Sequence, residues 1–160
     1  MAPPHVSRRQ FLALAGAGAA GLTLAGCTRS DRRSTPVPPT GAEVEAAEAA
    51  RRRAGATVRD LALVAAPLTH DLGGGLPVET WAYEPSVPAP EVRIRAGDVV
   101  RARFTNRLPE ATTVHWHGVA LRNDMDGVPG MTQEAVAPQS TFTYEFAAPD
   151  PGTFWFHPHV

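Results

Sequence analysis

Two short stretches decide the fold of this chain: residues 113–118 are TVHWHG, and residues 152–159 are GTFWFHPH. Each stretch mixes β-branched and aromatic residues with two histidines separated by one position, a composition that favours a β-strand. Residues two apart in a strand point to the same face, about 7 Å apart along the chain. Each stretch therefore presents two imidazoles side by side. The four histidines are His115, His117, His157 and His159.

Two such pairs in one chain indicate a metal site, whereas a lone histidine is more often structural. A spacing of about 7 Å is wide for two ligands of one ion, so we expect two neighbouring ions that each take one ligand from each pair. Trp116 points to the opposite face and is expected in the core. Pro158 cannot donate a ladder hydrogen bond, so the second pair is expected at a strand end or bulge. His5, in a signal segment, and His70, in a loop, are expected to take no part.

Outward from these stretches, the chain after residue 56 consists of short alternating segments broken by proline and glycine. The sequence holds 16 prolines and 14 glycines, which indicates many turns. No segment after Arg53 has a convincing helical period. Seven short strands predict an all-β fold, a Greek-key β-sandwich. The candidate strands are residues 57–64, 80–83, 92–95, 99–105, 114–118, 141–146 and 153–157.

Charge and cysteine content exclude several classes of protein and of site. The formal net charge is −1 and the arginines are scattered, so nothing indicates nucleic-acid binding. The single cysteine, Cys27, excludes an intrachain disulfide and a thiolate metal site in the body of the chain. Any metal must therefore be held by histidine or carboxylate side chains.

Residues 1–27 resemble a twin-arginine export signal that ends in a lipobox. Arg8 and Arg9 precede an apolar run over residues 13–25, which is shorter than the ~20 residues that cross a bilayer comfortably. The Leu-Ala-Gly-Cys sequence that ends at Cys27 predicts lipidation of that cysteine; the alternative is an ordinary signal with a chance cysteine. We expect a lipid anchor on the outer face of the cytoplasmic membrane, or else a periplasmic or extracellular protein.

Residues 28–55 are expected to form a linker between this signal and the folded body. The segment is polar and rich in proline up to residue 41. Thr40 and Glu43 have the spacing of a capping box for a short helix that runs through Arg53. We prefer a solvated, partly helical linker, with residues 56–160 as the folded domain.

The two histidine stretches, together with MDGVPG at residues 125–130 and with residues 138–146, resemble the first cupredoxin domain of multicopper oxidases. The resemblance covers about residues 56–160 and implies a Greek-key β-sandwich of cupredoxin type. It also implies copper, with His115 as a ligand of a type 2 copper and the other three histidines as ligands of a type 3 pair. In this family the trinuclear cluster of these ions reduces dioxygen to water, coupled to one-electron oxidation of a phenolic, cuprous or other metal-ion substrate.

Asp126 occupies a position similar to that of an acidic residue beside the cluster in this family. The resemblance implies that its carboxyl group supplies protons during dioxygen reduction, which is a general-acid role. The alternative is that Asp126 begins the Asp-Gly turn that follows it. Both roles can hold together.

The resemblance also implies partners that these residues do not include. Clusters of this family draw their histidines from two domains, and half of them are present here; a type 1 copper needs a cysteine from a C-terminal domain. We therefore expect an incomplete first cupredoxin domain, truncated at its C-terminal end, that acts with missing C-terminal cupredoxin domains. The 160-residue chain alone is expected to be inactive and to fold poorly.

Other functions stay open as alternatives. A non-catalytic envelope lipoprotein that binds copper would carry the same histidine pairs. A scaffold protein that shares the fold without copper is disfavoured by the intact pairs. A cupin places a similar pair on a β-scaffold but has a glutamate a few residues later, and residues 118–124 contain none. Zinc is an alternative to copper at an isolated half-site.

Overall fold

The computed structural model describes residues 36–83 and 85–159. This part of the chain contains one α-helix, six β-strands and a short 3-10 turn. They are α1 (Ala42–Ala50), β1 (Val58–Asp71), β2 (Pro77–Tyr83), β3 (Val99–Asn106), β4 (Thr113–His117), the 3-10 turn (Asn123–Met125), β5 (Thr141–Ala147) and β6 (Trp155–His159). No helix within these ranges is long and apolar enough to span a membrane. The predicted signal, His5 and Cys27 lie outside the described residues.

Four strands form one sheet in the order β2-β1-β3-β5. β1 is antiparallel to β2 and parallel to β3, and β3 is antiparallel to β5. Along β3 the side chains alternate between the core and solvent. Ala102 and Phe104 are fully buried, while Arg101 and Arg103 on the other face are exposed. This alternation confirms the predicted strand at residues 99–105.

β4 and β6 form a second, antiparallel sheet of two strands. Trp116 projects from β4 into the core and is 6% exposed. Its ring centroid lies 5.7 Å from that of Tyr144 and 5.1 Å from that of Phe146, both in β5, and 5.6 Å from that of Phe156 in β6. Tilted and edge-to-face contacts of this kind are favourable between aromatic rings. The prediction that Trp116 is a core residue is confirmed, so the histidines on either side of it face the other way.

β1 is longer than predicted because it changes neighbours along its length. Residues 58–65 pair with β3, and residues 65–71 pair with β2. Pro67 lies in the half of β1 that, among the described strands, pairs with β2 alone, and a residue without an N–H group is tolerated at such an edge. His70 was predicted in a loop; it lies in this half of β1, opposite Val78.

The predicted strand at residues 92–95 does not form. These residues alternate between apolar and charged, but they pair with no strand in the described part of the chain, and Ile94 is 39% exposed. Alternation produces a strand only where a neighbouring strand supplies hydrogen-bond partners for the backbone. The prediction of a strand here is wrong.

The N-cap of helix α1 is Gly41 rather than Thr40, and no side chain caps this end of the helix. The predicted capping box of Thr40 and Glu43 therefore does not form. The helix also ends before the predicted residue 53. Glu48 is 3% exposed, and its carboxylate accepts a hydrogen bond from the N–H of Ala147 in β5. Part of the expected solvated linker therefore packs against the edge strand of the larger sheet.

Candidate metal centre

The two histidine pairs meet across the β4–β6 ladder. His115 is paired directly with His157 in this register. The ring centroid of His115 is 5.6 Å from that of His117, 5.2 Å from that of His157 and 5.2 Å from that of His159. The structure therefore brings the four histidines into one group, on the face of the ladder opposite Trp116.

Three of these histidines bring ring nitrogens within reach of one another. One ring nitrogen from each of His115, His117 and His157 lies within 4.8 Å of the other two. Nδ1 of His117 is 3.3 Å from Nε2 of His157. His159 contributes a neighbouring ring, with its centroid 5.5 Å from that of His157. His115 is 18% exposed and His117 is exposed, so the group has an inner end and an end open to solvent.

The loop after β4 orients the ring of His115. Nδ1 of His115 lies 2.7 Å from the main-chain oxygen of Asp126. Because a carbonyl oxygen only accepts, Nδ1 carries the proton, and Nε2 keeps a free lone pair for a metal ion. Oδ1 of the Asp126 carboxylate is 3.4 Å from the same nitrogen. Asp126 therefore lies beside His115, and its main chain makes a contact that sequence reasoning missed.

Gly127 allows this loop to approach β4 closely. Its φ of 76° is in the left-handed region, and a Cβ atom at this position would overlap the main-chain oxygen of Val114. The Thr113 hydroxyl donates a hydrogen bond to the carbonyl oxygen of Gly127. Only glycine can both adopt this positive φ and leave room for the main-chain oxygen of Val114. The Asp-Gly pair thus turns the chain and also brings the Asp126 carbonyl to His115.

His157 is oriented by its own strand. Its Nδ1 lies 2.9 Å from the main-chain oxygen of Pro158, so this nitrogen also carries the proton and Nε2 keeps its lone pair, which faces Nδ1 of His117. Pro158 lies opposite Val114 within the ladder, and β6 continues to the last described residue, His159. The expectation that the second histidine pair lies at a strand end or bulge therefore stays a prediction.

Sequence reasoning missed one residue of this centre, Trp155. Trp155 is opposite His117 in the ladder and two residues before His157, which puts all three on one face. Its ring stacks on His157 with centroids 4.2 Å apart, and it lies 4.9 Å from the ring of His117. The same period of two that grouped the histidines is the signal that would have found it.

An apolar cavity of about 380 Å³ lies beside the centre. Its walls include Trp81, Leu108 and Phe156, and His157 lines one part of it. Because the walls are mostly apolar, the cavity offers shape and hydrophobic surface rather than further metal ligands.

The donor set of the centre fits copper. Its ligand candidates are imidazoles, which bind copper and also zinc. Two of the rings have a protonated Nδ1 held by a carbonyl oxygen and an unprotonated Nε2, the arrangement that commonly orients metal-bound histidines. Within residues 36–83 and 85–159 there is no cysteine, so the described ligands exclude a thiolate site there.

Comparisons with known proteins agree with this geometry. The model of the family described as multicopper oxidase matches residues 66–160. Over 155 residues the chain is 47% identical to the multicopper oxidase MmcO of Mycobacterium tuberculosis. The aligned region covers 96% of this chain and 29% of that protein. The chain is 45% identical over 73 residues to a copper resistance protein A homolog of Pseudomonas syringae pv. tomato, covering 46% of this chain and 12% of that protein. The chain thus spans less than a third of each of these curated relatives.

Solved structures give the same result for the fold. A crystal structure of a multi-copper oxidase from Pseudomonas thermotolerans matches with a TM-score of 0.63 at 45% identity, over 65% of this chain and 25% of that one. A multi-copper oxidase from Pseudomonas parafulva matches with a TM-score of 0.61 at 49% identity, over 64% of this chain and 25% of that one. These matches confirm the predicted all-β sandwich of cupredoxin type. Because the family model covers more than half of the chain and agrees with the histidine geometry, this chain belongs to the multicopper oxidase family.

Proposed function

We propose that the protein containing these residues is a copper-dependent oxidase, and that residues 56–160 supply half of the ligands of its trinuclear copper cluster. One observation carries the proposal: four imidazoles from two paired strands form one group, in which Nε2 of His115 and Nε2 of His157 are the unprotonated nitrogens that can bind metal. Imidazole is a suitable ligand for copper. Membership of the multicopper oxidase family supports the same assignment.

In this proposal His115 binds the type 2 copper, and His117, His157 and His159 bind the type 3 pair. When bound, the copper ions supply the redox chemistry that reduces dioxygen to water. The chain itself orients the ligands: the Asp126 carbonyl fixes the tautomer and the plane of the His115 ring. The remaining ligands, and the cysteine of a type 1 copper, are proposed to come from C-terminal cupredoxin domains.

We propose that the Asp126 carboxyl group supplies protons for the formation of water. Its Oδ1 lies 3.4 Å from Nδ1 of His115 and its side chain is 33% exposed, so it contacts both the centre and solvent. Asp126→Asn keeps the size of the side chain and the main-chain contact but removes the acid. Turnover should then fall about 10²-fold while the copper content stays the same. Full turnover by this variant would contradict the proton-supply role.

The substrate is proposed to be a phenol or a reduced metal ion, with cuprous copper favoured because one relative is a copper resistance protein A homolog. Dioxygen uptake by the full-length protein, measured with a phenol and then with Cu(I) at equal concentration, separates the two classes. Uptake with neither substrate would contradict both assignments.

We propose that the protein is exported under the signal at residues 1–27 and anchored by a lipid on Cys27. Cys27→Ser should move the protein from the membrane fraction to the soluble exported fraction, because a serine cannot accept the thioether-linked lipid. An unchanged distribution would rule out the anchor and leave an ordinary exported protein.

The copper assignment is tested by comparing two histidine variants of the full-length protein. His157→Ala removes a proposed ligand, whereas His70→Ala removes a histidine that lies in the four-stranded sheet. We expect His157→Ala to lose bound copper, by elemental analysis, and to lose at least about 10²-fold in dioxygen uptake. His70→Ala should match the wild type in both. Copper content and uptake retained by His157→Ala would overturn the proposal.

A non-catalytic envelope lipoprotein that binds copper is the second candidate. The observation that favours it is the histidine group itself, because imidazoles can hold copper without taking part in a reaction. Copper bound at the histidine group without dioxygen uptake, in the full-length protein, would support this candidate. Zinc bound in preference to copper would contradict both candidates.

A further inference from the structure

Trp155 is an exposed aromatic residue that the hydrophobic core does not account for. Its relative exposure is 57%, whereas Trp116, on the opposite face of the same sheet, is 6% exposed and surrounded by core rings. Large aromatic side chains usually bury their rings. In the described part of the chain, the aromatic rings that contact Trp155 are those of His117 and His157. The indole of Trp155 therefore packs against the histidine group rather than in the hydrophobic core.

The indole lies nearly parallel to two imidazoles from different strands. Its plane makes an angle of 27° with the ring of His157 at a centroid distance of 4.2 Å. It makes an angle of 30° with the ring of His117 at 4.9 Å. One flat side chain thus restrains two rings at once, and these are the two rings whose nitrogens approach to 3.3 Å.

Within the described residues, no carbonyl oxygen contacts the ring of His117, in contrast to the rings of His115 and His157. His115 is held by the Asp126 carbonyl and His157 by the Pro158 carbonyl. Among the described residues, the hydrogen-bond contact of the His117 ring is with His157 itself. Besides that contact, the ring of Trp155 restrains the plane of His117 independently of the metal.

We infer that Trp155 is a positioning residue, which holds His117 and His157 in the orientation that binds metal by packing its ring against both imidazoles. The inference rests on the proposed copper site, because it assigns Trp155 a role in the affinity of that site. Loss of groups that orient metal ligands weakens metal binding about tenfold or more. The aromatic face, rather than the indole N–H, is the feature that matters.

The test uses the full-length protein and three variants. Trp155→Ala removes the stacking face, Trp155→Phe keeps an aromatic face, and Trp81→Ala is the control, since Trp81 is a similarly exposed tryptophan (47%) in β2. The rate of copper release to a chelator should rise about tenfold in Trp155→Ala. It should return most of the way to wild type in Trp155→Phe and stay unchanged in Trp81→Ala. Equal thermal midpoints would show that the fold is intact.

A metal-free measurement separates this inference from the proposed function. In the metal-free protein, the ring current of Trp155 should shift the imidazole proton resonances of His117 and His157 upfield, and Trp155→Ala should abolish this shift. If the wild type bound no copper but showed the shift, the proposed function would be wrong, whereas the packing of Trp155 against the two imidazoles would be confirmed. If copper release were the same in Trp155→Ala as in wild type, or if the shift were absent from wild type, the inference would be overturned.

Discussion

The guanidinium group of Arg122 forms an ion pair with Glu45 of α1, with Nη1 2.9 Å from the Glu45 carboxylate. Nε of the same group lies 2.6 Å from Oδ1 of Asp124, and Nη2 donates to the main-chain oxygen of Pro39 at 3.3 Å. Hydrogen bonding to Asp124 raises the pKa of Arg122, so the group stays charged. The segment that precedes the sandwich is thereby tied to the loop that carries Asp126.

We expect Arg122→Met to destabilise the protein, because it leaves the Asp124 carboxylate, which is 16% exposed, without its partner. The loss in the free energy of unfolding should be about 1–3 kcal/mol. Glu45 is 55% exposed, so Glu45→Gln should lose no more than about 0.5 kcal/mol. Urea unfolding of both variants checks the order. Equal losses would show that the tie to α1, rather than the pairing with Asp124, is the main contribution.

Gly127→Ala should be the more damaging of two glycine substitutions in the loop beside the centre. Both Gly127 and Gly130 have positive φ, at 76° and 72°, but an added Cβ overlaps the Val114 carbonyl only at Gly127, and nothing lies within 4 Å of it at Gly130. Gly130→Ala should therefore lose about 1 kcal/mol of stability from backbone strain alone. Gly127→Ala should lose at least about 3 kcal/mol or fail to fold. Thermal or urea unfolding distinguishes them, and similar losses would contradict the close approach of this loop to β4.

The two tyrosines of the chain should resist ionisation while it is folded. Burial raises the pKa of Tyr83, with a further contribution from Tyr144, and burial also raises the pKa of Tyr144. A raised pKa in the folded state gives stability that is present below the ordinary value of about 10 and is lost as the pH rises through the folded value. Ultraviolet titration should show little tyrosinate at pH about 10 until denaturant is added. Half-ionisation near the ordinary value in the folded protein would contradict the burial of both rings.

Asp98 should make the stability depend on pH in acid. Its carboxylate accepts from the N–H of Thr57 at 2.9 Å and pairs with Arg53 at 2.6 Å. The Thr57 hydrogen bond is the first cause that lowers the pKa of Asp98, and the charge of Arg53 adds to it. A lowered pKa stabilises the fold above the ordinary value of about 4, and this stability is lost as the pH falls through the folded value.

The matched pair for this prediction is Asp98→Asn and Asp60→Asn. Asp60 is 73% exposed and lies 3.5 Å from Arg101. Thermal midpoints measured from neutral pH into acid should fall less steeply for Asp98→Asn than for wild type, starting from a lower value. Asp60→Asn should follow the wild-type profile. A parallel profile for Asp98→Asn would show that this carboxylate is not responsible for the acid sensitivity.

The alternation of residues along the chain was enough to predict several strands. It failed at residues 92–95, because the formation of a strand also depends on a neighbouring strand that supplies hydrogen-bond partners. β3 and β5 each lie within one residue of their predicted bounds, because regular alternation in Val99–Asn106 and Thr141–Ala147 coincides with real neighbours. Residues 92–95 alternate equally well and form no strand, because no strand within residues 36–83 and 85–159 pairs with them. Glu48 was expected in a solvated linker, but it is buried, because the N–H of Ala147 at the sheet edge lies where its carboxylate can accept a hydrogen bond.

The sequence by itself determined that each H-x-H pair shares one face of a strand and that Trp116 takes the other, because the period of two is a local property of an extended chain. It also pointed to the family through the motifs themselves. Only the tertiary structure decided that the two pairs meet with His115 opposite His157, that the Asp126 carbonyl holds one ring, and that Trp155 packs against two others. These contacts depend on strand register and on the approach of a loop, and both are set by pairing between residues far apart in the chain.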